Sequence, residues 1–474
     1  MASTTNELLR AVLNSKRTPS SGGRTASKPS SRKGTPKLSR SVRGSRAVSR
    51  DVSDDELDDA ASIASEDTWY DAFNPEDEES EEAIGDNWES DLQEALDALG
   101  EKRATAREKA LGSVVRIMSQ AYVGEGLEGS RISCLEALRR CARSPKTDME
   151  AQLALCGISL WFINFGMESE PEDYTAISEQ LKALVIDRSK AASARSSALA
   201  TLGMANFVAG SDFRDAAALL QFVDSQVLKV ELSSKEHGAA AVVRQALETY
   251  GLLMTVIADG NARLAEQLFD TSFDVHMRAL AADNVELRVA AAQNFALIHS
   301  TLARENGTTN ANSNGSSPPL LSFEFERQDE LVATLQVLQH ESAKKHGKRG
   351  TSTQRSAMRE ILRTIEHGEM PKLKISIREK TLRLNDWSHI SRLHAFRTLL
   401  GSGLPTHFVD NPLLQEVFQV EFDGSGYRYL VKEARTVVDP NSELAKARTL
   451  DMQRRRRNAR EAKAVDNDAD DDYY

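Results

Sequence analysis

The chain has 474 residues, 40% of them hydrophobic and 6% aromatic, and a formal net charge of −11. It is too long for one ordinary domain and too poor in apolar residues for all of it to be packed core. Three cysteines, Cys134, Cys141 and Cys156, supply no framework for a disulfide-built secreted fold and point to a reducing compartment. No run of about 18 apolar residues is present to span a bilayer, and Leu8, Leu9, Val12 and Leu13 are too few for a signal-peptide core, so no membrane partner is expected.

Charge is strongly segregated at the start of the chain. Residues 1–50 hold twelve Lys or Arg against one acid, Glu7, whereas residues 51–100 hold twenty Asp or Glu and no base. Rich in Ser, Gly and Pro and without apolar periodicity, residues 1–86 are expected to form a disordered tail, because they cannot bury enough surface to offset ordering entropy. Phosphorylation of its Ser and Thr would shift the balance between the two charge blocks. Trp69, Tyr70 and Phe73 interrupt the acidic part and read equally as a short docking motif or as ordinary tail residues.

From Asn87 the texture becomes helical, rich in Ala and Leu. Segments 104–118, 149–163, 193–208, 242–257 and 286–302 share one scheme, in which a charged residue precedes a small-residue patch and then a bulky apolar stripe. Aligning Arg107, Glu150, Arg195, Arg244 and Arg288 gives intervals of 43, 45, 49 and 44 residues, within or near the roughly 40 to 47 of armadillo and HEAT units. One unit cannot bury its own apolar face, and Ala198, Ala200, Ala290, Ala291 and Ala292 permit the next unit to approach closely. The spacing predicts an α-solenoid over 87–338, with polar turns at Glu168–Asp173 and Ser233–Gly238 and a flexible loop over 305–320. The Asn306 sequon in that loop is read as a chance match.

No catalytic signature is present: the chain lacks a Walker loop, a Gly-rich fingerprint, HExxH, GxSxG and CxxC. No enzyme activity and no cofactor are therefore expected. Cys134 and Cys141, seven apart on one helical face, read as core residues. His389 and His394 lack ligand spacing, and the acidic runs Asp54–Asp59 and Asp466–Asp472 lack the Gly-turned alternation of a calcium loop. No metal site is expected.

Residues 339–435 read as a small helical module. Lys344, Lys345, Lys348 and Arg349 lie in a Gly-containing approach to a helix. Within that helix Arg355, Arg359 and Arg363 share a face by their four-residue spacing, opposite Ala357, Met358, Ile361, Leu362 and Ile365. Such a row suits a phosphate backbone, because counterion release rewards several contacts together. The competing reading is a solvated face paired with Glu360 and Glu366. A β-like piece at Leu373–Ile377 is not expected to build a sheet. Residues 440–465 read as a basic helix, capped by Ser442, in which Lys446, Arg448, Arg454, Arg455, Arg456, Arg457, Arg460 and Lys463 fall all around the axis. It presents no apolar face for a core or a membrane surface. Charge on every side suits a channel walled by phosphates; the run of four arginines also reads as a nuclear-localisation signal. An acidic tail, 466–474, follows.

The blocks QRSAMREILRTIEHGEMPKLKI (354–375) and LNDWSHISRLHAFRTLLGSGLPTHFVDNPLLQEVF (384–418) closely resemble the interferon-related developmental regulator family, in a fungal-type form. The resemblance is carried by Gln354, Arg355, Arg359–Leu362, Trp387, Leu400–Gly403, His407, Asn411, Val417 and Phe418. It continues at Asn441–Ser442 and Lys446–Thr449, and shows before 344 only as a helical-repeat pattern. The resemblance implies an armadillo-like, non-enzymatic regulator, described either as a transcriptional co-regulator or as a ribosome-associated repressor of translation. The all-sided basic helix favours the second: a monomer, cytoplasmic and also nuclear, that binds ribosomal RNA. The alternative is a nuclear co-regulator whose solenoid binds corepressor or chromatin proteins. The fold expected is therefore all-α: an armadillo/HEAT-like solenoid, a small helical C-terminal domain and a terminal basic helix.

Overall fold

Helices dominate the computed structural model, which describes residues 87–124, 126–310, 325–341, 347–377 and 380–420. Twelve helices among these residues form six antiparallel pairs. The first three pairs are α1 (Trp88–Ala98) with α2 (Ala104–Gln120), α3 (Arg131–Arg143) with α4 (Asp148–Asn164), and α5 (Pro171–Ile186) with α6 (Ala192–Ala209). In the fourth, α7 (Phe213–Phe222) runs on through a π-helical stretch, Val223–Leu228, and packs on α8 (Ala239–Gly260). The last two are α9 (Ala262–Leu280) with α10 (Val285–Asn310) and α11 (Gln328–Gln339) with α12 (Gly347–His367).

The even-numbered helices stack consecutively, α2 on α4 on α6 on α8 on α10 on α12, and make an inner row; the odd-numbered ones form an outer row. This is the all-α solenoid that the sequence period predicts. Each of the five segments used to find the period lies in an inner helix, α2 through α10. An inner helix is walled on several sides, which is why α4 is apolar almost all round and buries residues from Glu150 to Asn164 with few gaps. Close stacking uses missing side chains: a methyl on Gly203 would come within 2.8 Å of Thr249 Cγ2 on the next inner helix. Ala198, Ala290, Ala291 and Ala292 are buried in the same row, whereas Ala200 is half-buried.

Three local expectations need adjustment. The loop expected over 305–320 begins later, because α10 runs on to Asn310 and residues 305–310 are helical. Pro171–Asp173 is the first turn of α5 rather than part of a connector, because Pro sits well at a helix start and Glu170 and Asp173 form a capping box. Ser233–Gly238 is the turn predicted. The β-like piece does build a sheet: β1 (Leu373–Ile377) pairs antiparallel with β2 (Lys380–Leu384), Leu373 opposite Leu384. The cause is period-two alternation on both strands, which buries Leu373, Ile375, Ile377 and Leu384 together on one face.

After the hairpin come α13 (Trp387–Leu400), α14 (Leu404–Asp410) and α15 (Pro412–Val417). They form a strap laid back along the inner row. Helix α13 packs mainly on α8 and α10 and also touches α4 and α2, α14 packs on α2, and α15 meets the turn Gly166–Glu168. Among the described residues no helix is long and apolar enough to cross a membrane.

Candidate nucleic-acid interface

The charges that mark the repeat are consumed by the fold. Arg107 meets Glu150 of the next unit in a two-pronged ion pair, Nε to Oε1 at 2.5 Å and Nη2 to Oε2 at 2.9 Å, with the carboxylate fully buried. Arg195 pairs with Glu231 through a single contact, Nη2 to Oε1 at 2.6 Å, Arg244 with Glu286 at 3.6 Å, and Arg288 with Glu341. Each pair joins one unit to the next. Three of these arginines also cap the stretch before their own helix: Arg107 donates to Glu101 O at 2.9 Å, Arg195 to Val185 O at 2.7 Å and Arg288 to Ala282 O at 2.5 Å. Burial pushes the Glu150 carboxyl up, but hydrogen bonds from Arg107 and the Lys146 amide outweigh it and hold the group below its ordinary value.

The predicted arginine row on α12 divides between two uses. Helix α12 begins at Gly347, so Lys348 and Arg349 belong to the helix itself rather than to an approach. The positions of their side chains, and the whole of Lys344 and Lys345, lie outside the described residues. Arg355 is half-buried and donates to Glu341 O at 3.4 Å. Beside it Gln354 is buried, donates to Leu338 O at 2.7 Å and accepts from Arg288 at 3.3 Å. Further along, Arg359 and the exposed Arg363 line an open depression of about 690 Å³ between α11 and α12, floored by Ala333, Val337 and Leu362. Glu366 shares that depression and bonds Gln336 at 3.1 Å. Ala357, Met358, Ile361, Leu362 and Ile365 are buried as predicted, Leu362 at the floor of that depression.

The residues that mark the family resemblance after 384 seat the strap. Trp387 is fully buried and donates through Nε1 to Thr364 Oγ1 at 3.0 Å, tying α13 to α12. Arg392 donates to Thr255 Oγ1 at 3.1 Å and pairs with Asp259. His394 Nε2 stands 3.2 Å from Glu248 Oε1, and Phe396 meets Phe207 edge to face. Gly403 lies against the backbone of Ser119 and Gln120 at the end of α2. Asn411 donates to Ile163 O at 2.9 Å while its Oδ1 caps α15 by accepting from Leu413 N at 2.9 Å. His407 is fully buried beside Asn411, and burial pulls its imidazole down to about 4. Phe418 closes the end against Phe408 and Phe396. The strap therefore covers parts of α2, α4, α8 and α10 along the inner row.

His389 is half-buried inside α13, near Phe418. Cys134 and Cys141 are both buried in α3, and burial raises both thiols, Cys134 to about 12. Among the described residues no group of three or more His, Cys, Asp or Glu stands ready to hold a metal ion. The most cationic stretch, Lys446, Arg448, Arg454–Arg457, Arg460 and Lys463, lies outside the described residues, as does the acidic tail. Lys372, Lys374 and Arg383, exposed at the β1–β2 hairpin, were not among the expected site residues; of the hairpin the sequence showed only the β-like piece at Leu373–Ile377. Its alternation of cations with Leu and Ile was the available signal.

A family model described as interferon-related developmental regulator matches residues 56–366. It covers the repeats, reaches into the acidic segment, and includes only the beginning of the block 354–418 that carries the visible resemblance. Interferon-related developmental regulator 1 of Sus scrofa is 24% identical over 344 residues, spanning 72% of this chain and 73% of its own. Interferon-related developmental regulator 2 of Mus musculus is 24% identical over 346 residues, 71% and 74% of the two chains. An uncharacterized protein of Schizosaccharomyces pombe is 23% identical over 344 residues, 69% and 74% of the two chains. With the family model covering well over half of its length, the chain belongs to the interferon-related developmental regulator family.

Proposed function

We propose that this protein is a non-enzymatic, ribosome-binding repressor of translation that acts by occupying an RNA-lined site. The observation that carries the reading is the segment 446–463, whose eight named cations face three acids between Ser442 and Val465 and, as a helix, would point in every direction. Phosphates on several walls of a channel match such a rod, and each contact releases counterions. In this reading the solenoid is the rigid support, and Arg359 and Arg363 add a flanking contact. The seated strap supports it too: a peptide-binding scaffold would need the inner face, parts of which α13–α15 occupy.

Cytoplasmic action as a monomer fits this reading. Replacing Arg454, Arg455, Arg456 and Arg457 with Ala should release the protein from ribosomal fractions in a sucrose gradient, and the wild-type complex should weaken steeply as salt rises. Unchanged sedimentation of the variant would overturn the mechanism. Nuclear accumulation with no ribosomal RNA recovered after crosslinking would return the chain to the co-regulator reading, with the arginine run serving import.

A further inference from the structure

The register of the β1–β2 hairpin places Lys374 directly opposite Arg383. Both side chains are exposed, and the alternation puts Lys372 on the same face as Lys374. Cross-strand partners stand roughly 4.5 to 5.5 Å apart at Cβ, where like charges repel and weaken a sheet. A two-stranded ribbon is a marginal structure to begin with, so this pair works against the element that holds it. Among the described residues nothing offsets the repulsion, since Lys372, Lys374 and Arg383 enter no ion pair there. From Lys372 to Arg383 the chain carries five cations and one acid, Glu379.

The other face is anchored. Leu373, Ile375, Ile377 and Leu384 are buried, so the hairpin is fixed in orientation and its cationic face is held outward. Protection of an exposed strand edge accounts for a lysine on either strand; it does not account for two cations set opposite each other on one face. A polyanion does. Two long cationic side chains at that spacing can reach neighbouring phosphates, and structured RNA is held largely by such contacts to its backbone.

We propose that the outward face of the β1–β2 hairpin is a second phosphate-binding surface, on which Lys374 and Arg383 grip the backbone of structured RNA. The site rests on the RNA-binding reading above but uses different residues from the basic segment 446–463. The cost of placing like charges in register is offset only in the complex. Removing them should therefore weaken binding while leaving the free protein as stable or more so, the opposite of what removing a structural pair would do.

The test uses the full chain with Lys374→Thr and Arg383→Thr together, since Thr suits a strand. Binding to a double-stranded RNA oligonucleotide is followed by fluorescence anisotropy as KCl rises, with the thermal midpoint measured in parallel. The expected result is weaker binding, a salt slope shallower by about two, one unit for each phosphate that the variant no longer neutralises, and an unchanged or higher midpoint. Exchanging the two as Lys374→Arg and Arg383→Lys should restore the slope. A wild-type slope in the double Thr variant would overturn the hairpin site alone, provided the wild type binds RNA and Arg454→Ala to Arg457→Ala weakens it. Wild-type protein that binds neither the duplex nor ribosomes would overturn both readings. Loss of binding to poly-glutamate with RNA binding intact would assign the face to an acidic protein instead and refute the proposal.

Discussion

Gly403→Ala is the sharpest perturbation of the strap. At φ −80 the backbone tolerates any residue, so the effect is steric. The new methyl would sit 1.9 Å from Ser119 O and 2.6 Å from Gln120 Cα, both backbone atoms of α2 or its end. Ordinary carbon contacts lie at about 3.5 to 4.0 Å, so α13–α14 must retreat by more than 1 Å, roughly. Overpacking of this kind costs about 1 to 3 kcal/mol. Complete release would forfeit the burial of Leu404, Phe408, Leu414 and Phe418, each about 1.5 to 3 kcal/mol, so the strap shifts rather than detaches. The expected loss is about 2 to 3 kcal/mol, read as a lower urea midpoint with the slope unchanged. Faster hydrogen exchange should be confined to residues 404–418. A loss under about 0.5 kcal/mol with unaltered exchange would refute the claim that Gly403 seats the strap.

Three further outcomes follow from the geometry. Glu150→Ala, which strands a buried guanidinium, should cost about 3 to 5 kcal/mol, whereas Arg107→Met with Glu150→Leu should recover most of it; equal damage in a denaturant titration would argue against the ion-pair ladder. Asn411→Ala removes a donor to Ile163 O and the cap on Leu413 N, and a loss of about 1 to 3 kcal/mol is expected in the same titration. His276 and His407 are fully buried, and burial pulls both from 6.5 to about 4. Below about pH 6.5 the unfolded chain binds protons that the native state refuses, so stability is full above 6.5 and falls between 6.5 and 4. Each contributes up to about 3 kcal/mol of that loss, and His407→Gln should flatten the pH dependence of the urea midpoint.

The helical-repeat character was legible because each unit solves the same packing problem and so repeats its apolar stripe. The five stripes found by spacing are five inner helices. The strand at Leu373–Ile377 was visible in its alternation, but its partner was not, since pairing depends on a second segment whose pattern, Lys380–Leu384, begins with a cation and reads as surface. The path of the strap was hidden for a related reason. Trp387, Gly403, His407 and Asn411 are recognisable as a motif, yet nothing in a linear pattern says that Asn411 reaches Ile163, 248 positions away.

Charge shows the same division most clearly. Family, repeat period, core stripes and the cationic run at 446–463 were determined by the residues alone, because composition and periodicity are local properties. Which charges remain available to a partner was decided by the tertiary structure. Arg107, Arg195 and Arg288 look from the sequence like any surface cation, but stacking carries them against Glu150, Glu231 and Glu341 and takes them out of water. Lys374 and Arg383 look no different, and pairing of β1 with β2 leaves them side by side in solvent. A side chain's charge is written in its own position, whereas its neighbours are set by which elements pack together.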